Sequence, residues 1–287
     1  MKKVVVGLAA AMLSTLAAQA ADMPVKAPMA AAPPCLWCGF YVGLNAGYVR
    51  TDNGMSVVST PTPDATLGVV PGVSEGLAAL STGGLPVGRT DGFIGGAQAG
   101  YNWAAGRFLA GIEADIQGLS NNRTTGTLVN SAVVVGSLVT STQTGSMSTS
   151  YLGTVRGRVG LLATPNWLLY VTGGLAYGQV NATNTLAQTG ANGFIGAGSV
   201  SITDTRAGWT IGGGGEWMIA PKWSVKAEYL HYDLGSVRFT NGATGTPASN
   251  FFVGQVFQTN AISASFRGDI VRAGVNYHFG GPVVARY

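Results

Sequence analysis

Between Ile270 and Phe279 the chain alternates. Val271, Ala273, Val275, Tyr277 and Phe279 share one parity, and Arg272, Gly274, Asn276 and His278 share the other. Successive side chains of a strand point to opposite faces, so the two sets define an apolar face and a polar face. In a water-soluble sheet the apolar face would be the core. Here the apolar set ends in two aromatics, and the polar set carries one charge among small residues. That combination predicts a strand with lipid on its apolar side and a narrow barrel lumen on its polar side.

Seven earlier segments repeat the pattern, and the strands expected are residues 40–50, 92–103, 107–117, 150–163, 167–179, 206–219, 223–233 and 266–279. In 107–117, for example, Phe108, Ala110, Ile112, Ala114 and Ile116 alternate with Gly111, Glu113, Asp115 and Gln117. Three connections are tight turns: Ala104-Ala105-Gly106, Thr164-Pro165-Asn166 and Ala220-Pro221-Lys222. The other four, 51–90, 118–148, 180–205 and 234–265, are long and read as loops, with Val133-Val134-Val135 extending a strand above the membrane. Short turns on one side and long loops on the other are the asymmetry of bacterial outer-membrane barrels. The fold expected is all-β, an eight-stranded antiparallel transmembrane β-barrel of up-and-down topology. Tyr101, Trp103, Trp167, Trp217, Trp223, Tyr277 and Phe279 all lie beside a short turn or the last strand's end, and form the expected periplasmic aromatic girdle.

Composition agrees with a membrane barrel. Only 10% of the residues are charged, against roughly 25% in an ordinary soluble domain. Glycine is abundant, with 44 residues, yet the regularly spaced aromatics argue against disorder. Lys2-Lys3, the apolar run after them and Ala18-Gln19-Ala20 read as an export signal over residues 1–20. Its loss leaves a charge of +2, too little to imply nucleic acid as a partner. Residues 21–38, rich in Ala and Pro at first, read as a periplasmic lead-in, followed by the barrel at 39–279 and a tail at 280–287. Cys35 and Cys38 are read as a small local disulfide or two idle thiols. No further cysteine is present to complete a zinc site, and Gly39 stands where haem attachment needs a histidine.

Three stretches carry a resemblance to a known family. They are 39–48 (GFYVGLNAGY), 92–103 (GFIGG, then GYNW) and 271–279 (VRAGVNYHF). They resemble the outer-membrane immunogenic, or small porin-like, proteins of alphaproteobacteria, whose fold is similar to the OmpA transmembrane barrel. The resemblance covers Gly39 onward and implies an outer-membrane location with exposure at the cell surface. It also implies handling by the barrel-insertion machinery, with Phe279 or Tyr287 as the terminal aromatic that is read.

The inward parity collects eight charges: Glu113, Asp115, Arg156, Arg158, Glu216, Lys226, Glu228 and Arg272. Four acids face four bases in a lumen just wide enough for side chains to fill. Reflection through the Pro221 turn sets Glu216 opposite Lys226. Unpaired buried charge is costly, so the expected arrangement is a salt-bridge plug, with a gate or a narrow wet pore as the alternative.

Catalysis has little support. His231 and His278 are the only histidines, and no tight His/Ser/acid spacing accompanies them. Gly212-Gly213-Gly214-Gly215 lacks the Lys-Ser/Thr of a phosphate loop and sits within a strand. A soluble ligand-carrying barrel would bury the aromatic face instead. The reading is a non-enzymatic outer-membrane barrel with a structural or weakly porin-like role, or an adhesin acting through its loops, while a lipid-modifying barrel enzyme is the least supported class. No cofactor or metal is expected. The expected partners are outer-membrane lipid, lipopolysaccharide, the insertion machinery and an extracellular ligand at the loops.

Overall fold

Strict alternation makes the strands, and β5 (Phe108–Ser120) shows it residue by residue: Phe108 is 70% exposed and Leu109 2%. Exposure and burial then exchange at every step to Gln117, with the aliphatics outside and Glu113, Asp115 and Gln117 inside. The computed structural model describes residues 35–248 and 252–280. The expected export signal, residues 21–34 of the lead-in and 281–287 of the tail, Tyr287 included, lie outside the described residues.

Eleven strands occur among them, not eight. With β5, the first are β1 (Gly39–Asp52), β2 (Gly54–Pro61), β3 (Gly83–Leu85), β4 (Arg89–Ala105) and β6 (Thr124–Val134). The long ones follow: β7 (Ser137–Thr164), β8 (Trp167–Gly190), β9 (Ile195–Ala220), β10 (Trp223–Gly245) and β11 (Val256–His278). Antiparallel pairing runs β1–β4–β5–β7–β8–β9–β10–β11, and β11 pairs back onto β1, from Tyr41↔His278 to Thr51↔Gly268. The sheet is thus a ring of strands. Its three tight connections are the expected ones, closing at Ala105↔Phe108, Thr164↔Trp167 and Ala220↔Trp223.

The four segments read as loops are largely sheet. β2 adds to the outer part of β11, β3 adds to β2, and β6 pairs the outer part of β7. β8 and β9 stay paired out to Thr189↔Ile195. Val133 and Val134 do extend a strand, whereas Val135 sits in the turn at φ 43°. These segments are rich in Thr, Ser and Val and poor in charge, which suits paired strands. Past the ring, β9 and β10 part between Trp209↔Asp233 and Ala197↔Thr244. The extension therefore has β6–β7–β8–β9 on one side and β10–β11–β2–β3 on the other.

Two bulges convert the ring into the extension. In β10 the register shifts between Asp233 and Ser236, beside Gly235 at φ 73°. Below it the odd positions face out, as at Tyr229; above it Val237 is buried and Arg238 exposed. In β7 a shift between Thr149 and Tyr151 does the same, since Leu152 and Arg156 are buried below it and Met147 and Gln143 above it. One extra residue in a strand flips its faces. The extension thereby gains an apolar interior that includes Met55, Val57, Met147, Val180, Val237 and Ile262.

Two helices, α1 (Asp64–Leu67) and α2 (Val73–Ser81), lie at the extension's far end. α2 packs closely on β6, because a Cβ at Gly76 would fall 2.7 Å from a Val134 methyl. Its N-terminus is capped from a distance by Asp64, whose carboxylate accepts from the amides of Gly72 (2.6 Å), Val73 (3.2 Å) and Ser74 (2.9 Å). Burial opposes this ionisation, but the Ser74 and Gly72 donors outweigh it and hold the carboxyl down at about 2. A depressed folded value means that the cap contributes fully above the ordinary carboxylate range and is lost as pH falls through about 2. The exchange protection of the Gly72, Val73 and Ser74 amides, relative to free amides at the same pH, is expected to fall over that acid window. In Asp64→Asn the protection should be lower at neutral pH and flat across the window; an acid-sensitive protection in Asp64→Asn would contradict the assignment.

Candidate functional site

The ring lumen gathers the eight predicted charges, all buried. They rise from β5 (Glu113, Asp115), β7 (Arg156, Arg158), β9 (Glu216), β10 (Lys226, Glu228) and β11 (Arg272), and they form one connected network. The Arg156 guanidinium meets Glu113, Asp115 (2.9 Å) and Glu228 (3.0 Å). Arg272 bridges Asp115 (2.9 Å) and Glu228 (2.6 Å). Glu113 also takes Lys226 (2.8 Å), Arg158 (3.5 Å) and the Tyr41 hydroxyl (2.6 Å). Arg158 pairs with Glu216 at 3.1 Å and lies 5.0 Å from the ring centroids of both Tyr41 and Tyr170. The Tyr170 hydroxyl donates to Glu228 at 3.1 Å. At Gly214 a Cβ would stand 2.3 Å from the Ala227 carbonyl oxygen and 3.1 Å from the Tyr170 oxygen, so close packing against β10 requires the glycine. The glycine run of β9 is packing space, consistent with its place within a strand.

The expected juxtaposition across the Pro221 turn is present. Glu216 and Lys226 are cross-strand neighbours, as reflection through Pro221 requires. They are nevertheless not ion partners: Glu216 binds Arg158, and Lys226 binds Glu113 and, at 3.7 Å, Glu228. In a lumen this narrow a long side chain reaches across as readily as sideways.

Both ends of the network are covered. On the side of the extension, Val49, Ile94, Leu152, Ala176, Leu230 and Ile270 form an aliphatic tier. At the short-turn end Trp37, only 2% exposed, packs with Leu109, Leu168, Tyr170 and Met218. Its indole donates to the Pro165 carbonyl at 2.9 Å and stands edge-on to His278. Cys35 and Cys38 are disulfide-bonded, which closes the short loop that carries Trp37. The sequence reading gave Trp37 no role. A tryptophan between two cysteines, just before the first strand, was the available signal.

Beneath Trp37 lies a serine–histidine–acid contact that spacing did not reveal. Ser224 Oγ is 2.9 Å from His278 Nε2 and donates to Glu216 Oε1. This is not a nucleophile–base–acid relay. The serine proton is directed at the carboxylate, and Glu216 approaches the same imidazole nitrogen (3.5 Å) that faces the serine. A relay needs the acid on the other nitrogen, Nδ1, to orient the base. The second histidine, His231, is bonded to Asp269 (2.9 Å), which also accepts from Tyr229 (2.6 Å), on the outer surface of the ring.

The seven girdle residues sit at the short-turn end. Trp103, Trp167, Trp217, Trp223 and Phe279 are exposed, and Tyr101 and Tyr277 are half-buried. They interlock through ring contacts: Trp167 stacks on Trp217 (5.7 Å), Trp223 meets Tyr277 (5.1 Å), and Tyr277 meets Phe279 (5.1 Å). Phe40 joins them through Tyr101 at 4.6 Å.

The match to a protein-family model agrees with this architecture. The family model of the outer membrane protein beta-barrel domain matches residues 7–279. The 31 kDa outer-membrane immunogenic protein of Brucella melitensis is 36% identical over 241 residues, covering 82% of this chain and 88% of that protein. The 22 kDa outer membrane protein of Rhizobium leguminosarum is 28% identical over 161 residues, covering 54% and 62%. Among solved structures, the outer membrane protein OprG of Pseudomonas aeruginosa is 10% identical with a TM-score of 0.38, covering 84% of this chain and 97% of that one.

The Glu216–Arg158 pairing is open to a double-mutant cycle. Glu216→Gln with Arg158→Met is expected to show the larger coupling, because removing one buried partner strands the other at a cost of about 3–5 kcal/mol. Glu216→Gln with Lys226→Met should show a smaller coupling, carried through the shared network, and equal couplings by thermal unfolding on heat-modifiability gels would count against the Glu216–Arg158 pairing. For the turn end, Trp37→Ala should make His278 reactive to diethyl pyrocarbonate while the parent stays protected. Equal labelling of both would show that Trp37 does not cover the lumen.

Proposed function

The chain belongs to the outer membrane protein β-barrel family, and on that premise we propose that it is an eight-stranded up-and-down transmembrane barrel, closed to ions at rest. It is an outer-membrane protein. In this reading the barrel has a structural role and holds its β extension at the cell surface as the recognising part. The observation that carries the reading is the buried charge network between two apolar covers. An ion crossing the lumen would meet the Leu109–Leu168–Met218 tier under Trp37 and then the aliphatic tier above. Transfer of an ion from water into such surroundings is prohibitive. Each charge of the network has an opposite charge within 4.0 Å, although Arg158 Nε and Nη1 and Arg272 Nη1 have no hydrogen-bond partner.

The remaining assignments follow the same reading. Residues 1–20 are removed on export, 21–38 lie in the periplasm and end in the Trp37 plug, and 39–279 form the barrel before the 280–287 tail. Exposed Val42, Leu44, Ile112, Ile116, Val171 and Ile211 face lipid, with the girdle at the periplasmic interface. Lipopolysaccharide is the outer-leaflet neighbour, and Phe279 is available to the insertion machinery.

Planar bilayers and proteolysis test these points separately. The purified protein is expected to give no steady conductance; a persistent, salt-dependent current would move a porin role to first place. Trypsin added to intact cells should cut at Arg123, in the exposed turn between β5 and β6. Arg107 and Lys222, exposed in the short turns, should be cut only after the outer membrane is opened. Cleavage at Arg107 in intact cells would invert the topology.

A further inference from the structure

At the far end of the extension the structure holds a cavity of about 480 Å³ that the functional reading does not use. Four separate segments wall it. Val73 and Leu77 come from α2, Val135 and Val139 from the β6–β7 hairpin, Phe194 from the β8–β9 connection and Phe252 from the β10–β11 connection. The floor is aromatic: Phe194, Phe252 and the buried Phe257 pack ring to ring at 5.5–6.0 Å. We propose that this cleft binds one small neutral apolar molecule, of the alkane or fatty-alcohol class.

Two observations beyond the apolar lining point to a ligand. The first is backbone strain placed at the cleft. Val135 has φ 43° and Phe252 φ 56°, and both line the cavity. Left-handed backbone is strained for bulky side chains and worst for a β-branched one. The β6–β7 connection is a two-residue turn with Gly136 at φ 80°. Asn-Gly is the relaxed choice for such a turn. Valine in that place gives up turn stability and adds an apolar wall, and Val135 is 56% exposed, so burial in the fold does not account for it.

The second observation is the absence of any ionisable side chain among the described residues of the lining. Its polar members, Ser137 and Asn192, are engaged locally: the Asn192 amide donates to Ser137 Oγ (3.3 Å) and Asn192 Oδ1 accepts from the Phe194 amide (3.2 Å). A charged head group would find no partner there. The volume lies within the roughly 300–1,000 Å³ of small-molecule sites and is too narrow to seat a helix of a partner. A neutral chain fills it and covers Val135.

The test uses the full barrel in lipid nanodiscs with Val and Leu methyl labelling and 1-decanol as the probe. Saturable shifts are expected at Val73, Leu77 and Val139, while lipid-facing Leu169 and Val171 follow only bulk partitioning. Val135→Asn relaxes the turn and removes the wall. It should raise the unfolding temperature and weaken 1-decanol binding by about tenfold. Leu77→Trp, which fills the cavity, should abolish the shifts at Val73 and Val139. Decyl sulfate below its micelle concentration should bind about tenfold more weakly than 1-decanol. Non-saturating shifts, unchanged affinity in Val135→Asn, or equal binding of decyl sulfate would each overturn the proposal.

Discussion

Eight charged side chains share one lumen, and they must satisfy each other there. This constraint reaches through the rest of the ring. Arg156 needs carboxylates from β5 and β10 at once, and Arg272 needs the same two strands from the far side. Such contacts exist only in one register, so the network fixes how the strands are staggered. It also limits the neighbours. Tyr41 and Tyr170 flank Arg158 because a flat ring face accepts a guanidinium without competing for its protons. Tyr170 in turn donates to Glu228.

The outside of the ring obeys the opposite rule. Exposed Phe, Ile, Leu and Val would be a large liability in water, and in a bilayer they are the solvated face. Lipid offers no hydrogen bonds, so every backbone group of a crossing strand must be paired, and pairing of β1 with β11 leaves the ring without an edge. In the proposed orientation the aromatic residues beside the short turns mark the depth at which hydrocarbon gives way to head groups.

Much of the ring was legible in the sequence because a membrane strand obeys a period of two with little interference. The tight turns, the inward charges and the outward girdle all follow from parity. What parity cannot supply is reach across the lumen: Lys226 lies beside Glu216 but bonds to Glu113 of a distant strand. Trp37 was missed for a related reason. It precedes the first strand, and no period places a loop residue against Leu109, Leu168 and Met218. The Ser224–His278–Glu216 contact joins three strands near their ends, and only the pairing of β9, β10 and β11 brings it into view.

The extension was hidden by a subtler effect. Along β10 the odd positions are apolar from Trp223 to Tyr229, turn polar at His231 and Asp233, and are apolar again at Val237 and Phe239. A fixed parity would put all of them against lipid, in a segment too long for the membrane, and the outer part then looks like loop. The bulge at Asp233–Ser236 reverses the faces, so the same odd residues point outward below it and inward above it. The bulge of β7 at Thr149–Tyr151 acts likewise. β11 reaches the same end without a bulge, by changing composition: its odd positions turn from Val271 and Val275 to Thr259, Ser263 and Arg267. One strand set thus serves two solvents. Inside lipid its core is polar and charged, and beyond lipid its core is aliphatic. The boundary lies where the bulges and the change of composition coincide, just above Val49, Leu230 and Ile270. The aliphatic tier that these residues share with the extension is what caps the charge network, so the outer half of the molecule closes the inner one.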